Sequence, residues 1–362
     1  MRNMSRCFTI LLAVTLGFGT FALYARGKQE PGVKAAEEVE LLPIKIAAGS
    51  AIDHVTNFAA LDLGIFEKHG LDAEITVYDT GVQIVNALVS GDADVGTFGS
   101  VPMLSSISND IPLKLIAYNH GDPNRKWYND NQAIVASASS GVKEGDYASL
   151  RGKKIGLPVG TATEPYLFGL LDSVGVDQGS IEIVNIAPPD LAIALKQGSI
   201  DVAVIWEAFA STILHEVDGS VLVARGQSPG WFDPGTVVTH TRTLNTKREN
   251  LKRYLVAQAE SHKWVRNNLD EAAEIATRWI TGLDLEIAKS SIRAPKLDVR
   301  MSMLTLQGYD EITIPYLYSK GKLAKVIPAE IVVEPSLIVE VMNEYPDLFS
   351  DQEPIPSQHR LK

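Results

Sequence analysis

The chain has 362 residues, 45% apolar and 21% charged, with 33 Lys and Arg against 44 Asp and Glu for a net charge of −11. That length exceeds what one hydrophobic core ordinarily serves, and the balance is neither that of a disordered chain nor of a polytopic membrane protein, so two soluble domains are expected. The acidic excess argues against nucleic acid as a partner, and Cys7 as the sole cysteine excludes an internal disulfide, a cysteine-based zinc site and an iron–sulfur cluster.

Arg2 and Arg6 precede an apolar stretch from Phe8 to Leu23, with small residues at Ala22 and Ala25, in the order of an export signal. Gly17 and Gly19 interrupt the run, and it falls short of the roughly 20 apolar residues that span a bilayer, so cleavage is expected rather than anchoring. Residues 1–25 read as a removable signal, which places the mature protein in the periplasm or an equivalent extracytoplasmic space. Cys7 lies before the apolar run and so is no lipid-attachment site; removal of residues 1–25 takes Arg2, Arg6 and Cys7, leaving a net charge of −13 and no cysteine. Residues 26–43 are polar, carry Pro31, Gly32 and Pro43, and read as a tether.

Strand and helix patterns then alternate. Ile44–Ala48 reads as a strand, Asn57–His69 as a helix, Ala73–Tyr78 as a strand, Val82–Ser90 as a helix and Asp94–Phe98 as a strand. Lys153–Leu157, Glu164–Val174, Ile181–Ile186, Asp190–Gln197 and Asp201–Trp206 repeat that order. The repetition extends to the residues themselves: Ala-Leu-x-x-Gly-x-x-Asp-Val occurs at 87–95 and again at 194–202, an offset of 107. Each copy is a helix stopped by a C-cap glycine, Gly91 or Gly198, followed by a tight turn into a buried strand. Two β-α-β-α-β halves imply two α/β lobes, each with a parallel sheet covered on both faces.

From Thr236 the pattern turns helical, with Asn245 placed to cap a long helix through Val265 and a second helix over Leu269–Ile280. If these helices cover the first lobe, the chain crosses between lobes twice, near Gln132–Ala138 and near Phe232–Val238. The expected domains are lobe 1 from 44–135 and 236–362 and lobe 2 from 136–235, with a hinge and a cleft between them.

Ligands of open parallel sheets bind beyond the carboxyl ends of the strands, at helix N-termini. That rule selects the turns holding Gly49, Ser50, Asp53 and His54 in one lobe and Gly160, Thr161, Thr163 and Glu164 in the other, then Gly99 and Ser100 opposite Trp206 and Glu207. Each glycine-hydroxyl turn also fits a plain helix cap, and Trp206, Trp231, Phe232 and Tyr118 fit either a cleft wall or core packing. Trp127, in a polar loop with Arg125 and Asn129, fits a ligand or partner contact. No phosphate-binding loop, dinucleotide fingerprint, nucleophile elbow or His-Glu-x-x-His is present, and the seven histidines are scattered, so no cofactor and no metal are expected. His54 alone among them falls in an expected cleft turn.

The segments Ala60-Leu61-Asp62-Leu63-Gly64-Ile65-Phe66-Glu67-Lys68-His69-Gly70-Leu71, Ala87–Gly96, Leu150–Gly156, Gly160-Thr161, and Gly198–Val202 with Trp206-Glu207 resemble, in order and spacing, the extracytoplasmic solute-binding proteins of ABC importers. The resemblance is to the sulfonate, nitrate and taurine group, which shares its fold with the NMT1/THI5-like proteins. It covers residues 44 to about 210. It implies a type II periplasmic-binding-protein fold of two lobes, each a mainly parallel sheet flanked by helices, that closes on a small solute and delivers it to a membrane permease as a monomer. Family oxyanion binders use turn hydroxyls and main-chain donors, which carries over to Ser50, Ser100, Thr161 and Thr163, with Trp206 offering its indole N–H.

Asp53, Glu164 and Glu207 repel a bare anion, and suit instead a zwitterion such as an aminosulfonate, or a nitrogen heterocycle of the thiamine-precursor pyrimidine kind. The ligand-binding set is therefore Ser50, His54, Ser100, Thr161, Thr163, Trp206 and Glu207, with none catalytic. Two other classes stay open: an enzyme on this scaffold using His54 and Glu207 as acid and base, and a sensory receptor. The pyrimidine-synthase branch has a cysteine-rich motif without counterpart in the mature chain.

Overall fold

The computed structural model describes residues 41–126, 130–226 and 231–361. The expected export signal at 1–25, nearly all of the expected tether and Trp127 lie outside them. The first sheet has the order β2-β1-β3-β10-β4, from β1 (Leu42–Gly49), β2 (Leu71–Tyr78), β3 (Val95–Gly99), β4 (Leu113–His120) and β10 (Gly235–His240). The second has the order β7-β6-β8-β5-β9, from β5 (Gln132–Ala136), β6 (Lys154–Leu157), β7 (Glu182–Asn185), β8 (Val202–Trp206) and β9 (Val221–Arg225).

Neither sheet is wholly parallel. β10 runs antiparallel to both β3 and β4, and β5 runs antiparallel to both β8 and β9. These reversed strands are the ones by which the chain enters each sheet from the other: it leaves the first sheet after His120 for β5 and returns from Arg225 to β10. A strand arriving from a neighbouring lobe has no crossover helix to turn it around, so it runs against its neighbours.

β1 starts at Leu42, inside the expected tether, and includes Pro43. Proline is tolerated there because β3 joins β1 only at Ile46 and Ala47, leaving that side of Pro43 without a ladder partner to receive an N–H. The expected helix at 57–69 is two helices, α1 (Val55–Asp62) and α2 (Ile65–Lys68), broken where Gly64 adopts a left-handed φ of 67°. α3 (Gly81–Ser90) and α4 (Ser100–Ser108) complete the first half. The second half carries α5 (Thr163–Ser173), α6 (Leu191–Lys196) and α7 (Phe209–Glu216). The sheet's two faces are packed differently: Val202 and Val204 of β8 face a cluster with Leu167 and Leu171 of α5, while Ala203 and Ile205 join Leu195 of α6 and Ile213 of α7. This period-two alternation is what a doubly covered strand requires.

After β10 the chain is helical: α8 (Thr241–Thr246), α9 (Arg248–Asn267), α10 (Leu269–Trp279), α11 (Leu285–Ser291), α12 (Met303–Gly308), α13 (Ile314–Ser319), α14 (Ala329–Val332) and α15 (Ser336–Glu344). Asn245 falls inside the short α8 instead of capping the long helix, which begins after Lys247. Most of this third packs on the first sheet, with Tyr254, Leu255, Leu337 and Val341 in the same core as Ile46, Val95 and Leu115. The segment after α13 also reaches the other lobe, where Lys320 pairs with Asp172 at 3.0 Å and Lys322 with Glu164 at 2.8 Å.

The repeated Ala-Leu-x-x-Gly-x-x-Asp-Val performs the same task twice. Gly91 and Gly198 close α3 and the α6 segment with φ of 88° and 70°. The aspartate three residues on then clasps strand one of its sheet: Asp94 N donates to Lys45 O at 2.8 Å while its Oδ2 accepts Lys45 N at 3.0 Å, and Asp201 does the same with Lys154 at 2.8 and 2.9 Å. Asp94→Ala or Asp201→Ala removes a charge-assisted bond to a strand N–H and is expected to cost about 2 kcal/mol. Urea unfolding should show this as a lower midpoint at unchanged slope; an unaltered midpoint in both variants would show that water replaces the clasp.

Candidate functional site

The carboxyl ends of β1, β3, β4 and β8 and both inter-lobe segments surround a cavity of about 60 Å3. Four helices of eight residues or more start at its wall: α1 through His54, α3 through Thr80 and Gly81, α4 through Gly99, and α5 through Thr161 and Ala162. Helix N-termini carry partial positive charge and outward N–H groups, so this wall favours an oxyanion.

The β1–α1 turn supplies the opposite polarity. Asp53 is 4% exposed, and its carboxylate accepts Asn131 Nδ2 at 3.0 Å and Asn119 Nδ2 at 3.2 Å. His54 Nε2 and His120 Nε2 stand 3.4 and 3.5 Å from Asp53 Oδ2. His54 Nδ1 accepts Gly49 N at 3.2 Å and faces Thr97 Oγ1 at 2.7 Å, and Thr97 accepts Asn57 Nδ2 at 3.2 Å. This hydrogen-bond pattern assigns the proton to Nε2, directed at Asp53. Burial holds His54 below its ordinary value, against the pull of Asp53, so it is neutral at pH 7. For His120 burial acts the same way, but hydrogen bonding to Asp130 and the charges of Asp53, Asp130 and Asp233 outweigh it and bring the group to about 8. Burial pushes Asp233 up to about 6, partly offset by Ser100 N, which donates to Oδ1 at 3.1 Å, and by His120.

Among the described residues that line the cavity, the carboxylates are Asp53, Asp79 and Asp233, and there is no Lys or Arg. His120 balances one of the three charges. The lining therefore holds helix N-termini, which attract an oxyanion, together with carboxylates, which attract a cation, and Asp233 is bonded to the start of α4. No group of three His, Cys, Asp or Glu among the described residues is placed to hold a metal ion.

Of the residues singled out from the sequence, Ser50, His54, Thr161 and Trp206 line this cavity. Thr161 turns its hydroxyl away, donating to Pro158 O at 2.8 Å, so it offers the cavity its backbone and methyl side. Ser100, Thr163 and Glu207 are not in the lining. The Ser100 hydroxyl donates to Pro234 O at 3.1 Å and meets Tyr309 OH at 2.9 Å; Thr163 Oγ1 lies on Thr161 and Pro158 O. Glu207 is fully buried, with one oxygen 2.7 Å from Arg225 and the other accepting Ser211 Oγ at 2.7 Å. A carboxylate so committed cannot serve as a base beside His54. Trp231, Phe232 and Tyr118 are core residues, Trp231 and Phe232 meeting Tyr316 and Tyr309 edge-on.

His120, Asn119, Asn131 and Asp233 were not among the expected site residues. His120 ends β4, where the strand-end rule applies as it does to β1; Asn131 and Asp233 lie on the two inter-lobe segments, which no local pattern marks as ligand-facing.

A two-lobed α/β protein with a polar cavity at facing strand ends is thereby defined. The sequence profile described as NMT1/THI5 like matches residues 51–272, and the chain belongs to that family. It is 30% identical over 178 residues to the taurine-binding periplasmic protein of Escherichia coli K12, covering 49% of this chain and 51% of that one. It is 27% identical to a putative binding protein of Brucella abortus strain 2308, over 61% of this chain and 66% of that one. A putative aliphatic sulfonates-binding protein of Bacillus subtilis 168 is 24% identical over 77% of this chain and 81% of its own. The chain thus spans between half and two thirds of the length of the first two of these relatives. In fold it is similar to the alkanesulfonate-binding protein SsuA of Xanthomonas axonopodis pv. citri, at a TM-score of 0.70 and 18% identity over 81% of this chain and 98% of that one. It is equally similar to the periplasmic nitrate-binding protein NrtA of Synechocystis PCC 6803, at a TM-score of 0.70 and 15% identity over 86% and 92%.

Folding raises the His120 pKa from 6.5 to about 8, so its contribution to stability is full below pH 6.5 and is lost as pH rises through 8. Asp233 acts in the same sense in a lower window, from 3.8 to about 6. The thermal midpoint of the ligand-free protein should decline between pH 6.5 and 8, and His120→Gln should flatten that decline. Equal slopes in the two proteins would remove His120 as the cause.

Proposed function

We propose that this chain is the extracytoplasmic solute-binding component of an ABC importer. It captures a small solute between its lobes, without chemical change, and presents it to a membrane permease. Of the solutes that the relatives' names suggest, a zwitterionic aminosulfonate of the taurine kind fits best. The observation that carries this is the cavity lining itself: helix N-termini together with the carboxylates of Asp53 and Asp233, the latter capping α4 through Ser100 N, and no Lys or Arg among the described lining residues. A sulfonate accepts N–H donors at the helix ends, while an ammonium takes the carboxylates. Nitrate or a simple alkanesulfonate leaves the carboxylates unanswered.

A second reading, a nitrogen heterocycle stacked on Trp206, is favoured by the position of that ring in the lining beside the same acceptors. Export through residues 1–25 accords with either solute, as does action as a monomer.

Calorimetric titration of the mature protein separates these readings. Taurine is expected to bind at least tenfold more tightly than ethanesulfonate, a difference of about 1.4 kcal/mol, and Asp233→Asn to erase that preference. Binding of a hydroxymethylpyrimidine with rejection of taurine would select the heterocycle; rejection of all three solutes would remove the importer reading in this form. Trp206→Ala should weaken the bound solute at least tenfold with the thermal midpoint retained, and unchanged affinity would place the indole outside the site. Because Asp233 ionises at about 6, affinity for the ammonium-bearing solute should fall as pH drops below that value.

A further inference from the structure

By its packing α13 belongs to the first lobe, with Ile314 and Leu317 buried in the core around β1 and β3. Its Tyr316 packs against the cores of both lobes and meets Trp231, near the second inter-lobe segment's return to β10, edge-on. The helix ends in a tight turn, in which Lys322 N donates to Leu317 O at 2.9 Å and Gly321 takes a left-handed φ of 69°. That turn sets two lysines beside α5 of the second lobe: Lys320 Nζ is 3.0 Å from Asp172 Oδ2, and Lys322 Nζ is 2.8 Å from Glu164 Oε1. The two carboxylates stand at opposite ends of α5 and have different needs. Asp172, in the last turn, meets the helix's own partial negative charge and calls for a cation. The Glu164 side chain is 6% exposed, and its other oxygen accepts Gly160 N at 2.8 Å. Among the described residues, the cations paired with these carboxylates are Lys320 and Lys322. Neither lysine lines the solute cavity, whereas Thr161 and Ala162, which lead into α5, do.

We propose that Lys320 and Lys322 are positioning residues for solute binding: they clamp both ends of α5 to the first lobe and so hold the Gly160–Ala162 turn at the cavity. The proposal rests on the solute-binding reading given above and adds to it a control on affinity. An ion pair that spans the lobes favours the arrangement in which it is made, before any solute enters. Both lysines are partly exposed, at 27% and 34% of their side chains, so the clamp is open to screening by salt. A solute of zero net charge thereby acquires an ionic-strength dependence from residues that it does not touch.

Taurine is titrated calorimetrically into the mature protein, Lys322→Gln, Lys322→Arg and the double variant Lys320→Gln/Lys322→Gln at about 0.01 M and about 1 M salt, where Debye lengths are roughly 30 and 3 Å. At low salt Lys322→Gln should weaken taurine about threefold or more and the double variant further, with Lys322→Arg holding the parent's affinity. At high salt the four proteins should converge. Equal affinity of the parent and the double variant at low salt would overturn the clamp. A loss that persists undiminished at high salt would overturn it too, since that marks a change of packing and not of charge. A second measurement needs no solute: by small-angle X-ray scattering the ligand-free double variant should have a larger radius of gyration than the parent at low salt and the same radius at high salt. Identical radii at both would overturn the clamp. Should the parent protein reject taurine, the aminosulfonate reading falls, and the scattering comparison decides the clamp by itself.

Discussion

A carboxylate as buried as that of Asp53 is tolerated only where neighbours replace the water it has lost. Here they come from separate stretches of chain: Asn119 and His120 from the end of β4, Asn131 from the inter-lobe segment, and His54 from its own turn. Holding that charge fixes the β1–α1 turn against β4 and against the first crossing to the other lobe. Backbone requirements follow. A Cβ at Gly49 would lie 2.5 Å from His54 Nε2, and one at Gly235 would lie 2.1 Å from the His120 ring. Glycine at the last residue of β1 and the first of β10 is therefore what lets the two imidazoles approach the carboxylate.

The same hub ties binding to lobe movement. Asn131 and Asp233 stand on the two segments that join the lobes, so the cavity lining and the inter-lobe connections share residues. A third link runs through the C-terminal region. Glu164 accepts Gly160 N at 2.8 Å with one oxygen and Lys322 at 2.8 Å with the other, which couples the Gly160–Thr161 turn of the second lobe to a residue beyond α13. A solute favours one arrangement of the lobes over another only by differential contact, and in this structure these three links are polar connections that run at or between the lobes.

Alternation of strands and helices, and the duplicated Ala-Leu-x-x-Gly-x-x-Asp-Val, are local patterns, and three of the five strands of each sheet follow from them. The reversed strands were illegible because β5 and β10 have the composition of any buried strand; direction is set by where the chain has come from. In the candidate site, the rule of strand ends and helix starts selects turns that line the cavity, with Ser50, His54, Thr161 and Trp206 among the lining residues. It does not say which way a hydroxyl points. Ser100 and Thr163 satisfy backbone carbonyls nearby, and Glu207 meets Arg225 inside the second lobe. The partners of Asp53 lie 66 and 78 residues away, at Asn119 and Asn131. Separations of that size carry no periodic signal, so the hub was readable only once the two sheets had been assembled.

An excess of acid in the cavity of a protein whose relatives include sulfonate and nitrate binders has a physical resolution. A helix N-terminus presents roughly half a positive charge through N–H groups that need no lysine or arginine behind them. Such ends gather in the lining, that of α4 already bonded to Asp233 through Ser100 N, and their effect stays local because it fades within a turn. His120 balances one of the three carboxylate charges of Asp53, Asp79 and Asp233, so the pocket is acidic without being uniformly repulsive. N–H donors and carboxylate acceptors therefore share one lining, and the field inside it is set by which helix ends are left free of the carboxylates, because an end already bonded to an aspartate, as α4 is to Asp233, has its partial charge answered from within the protein.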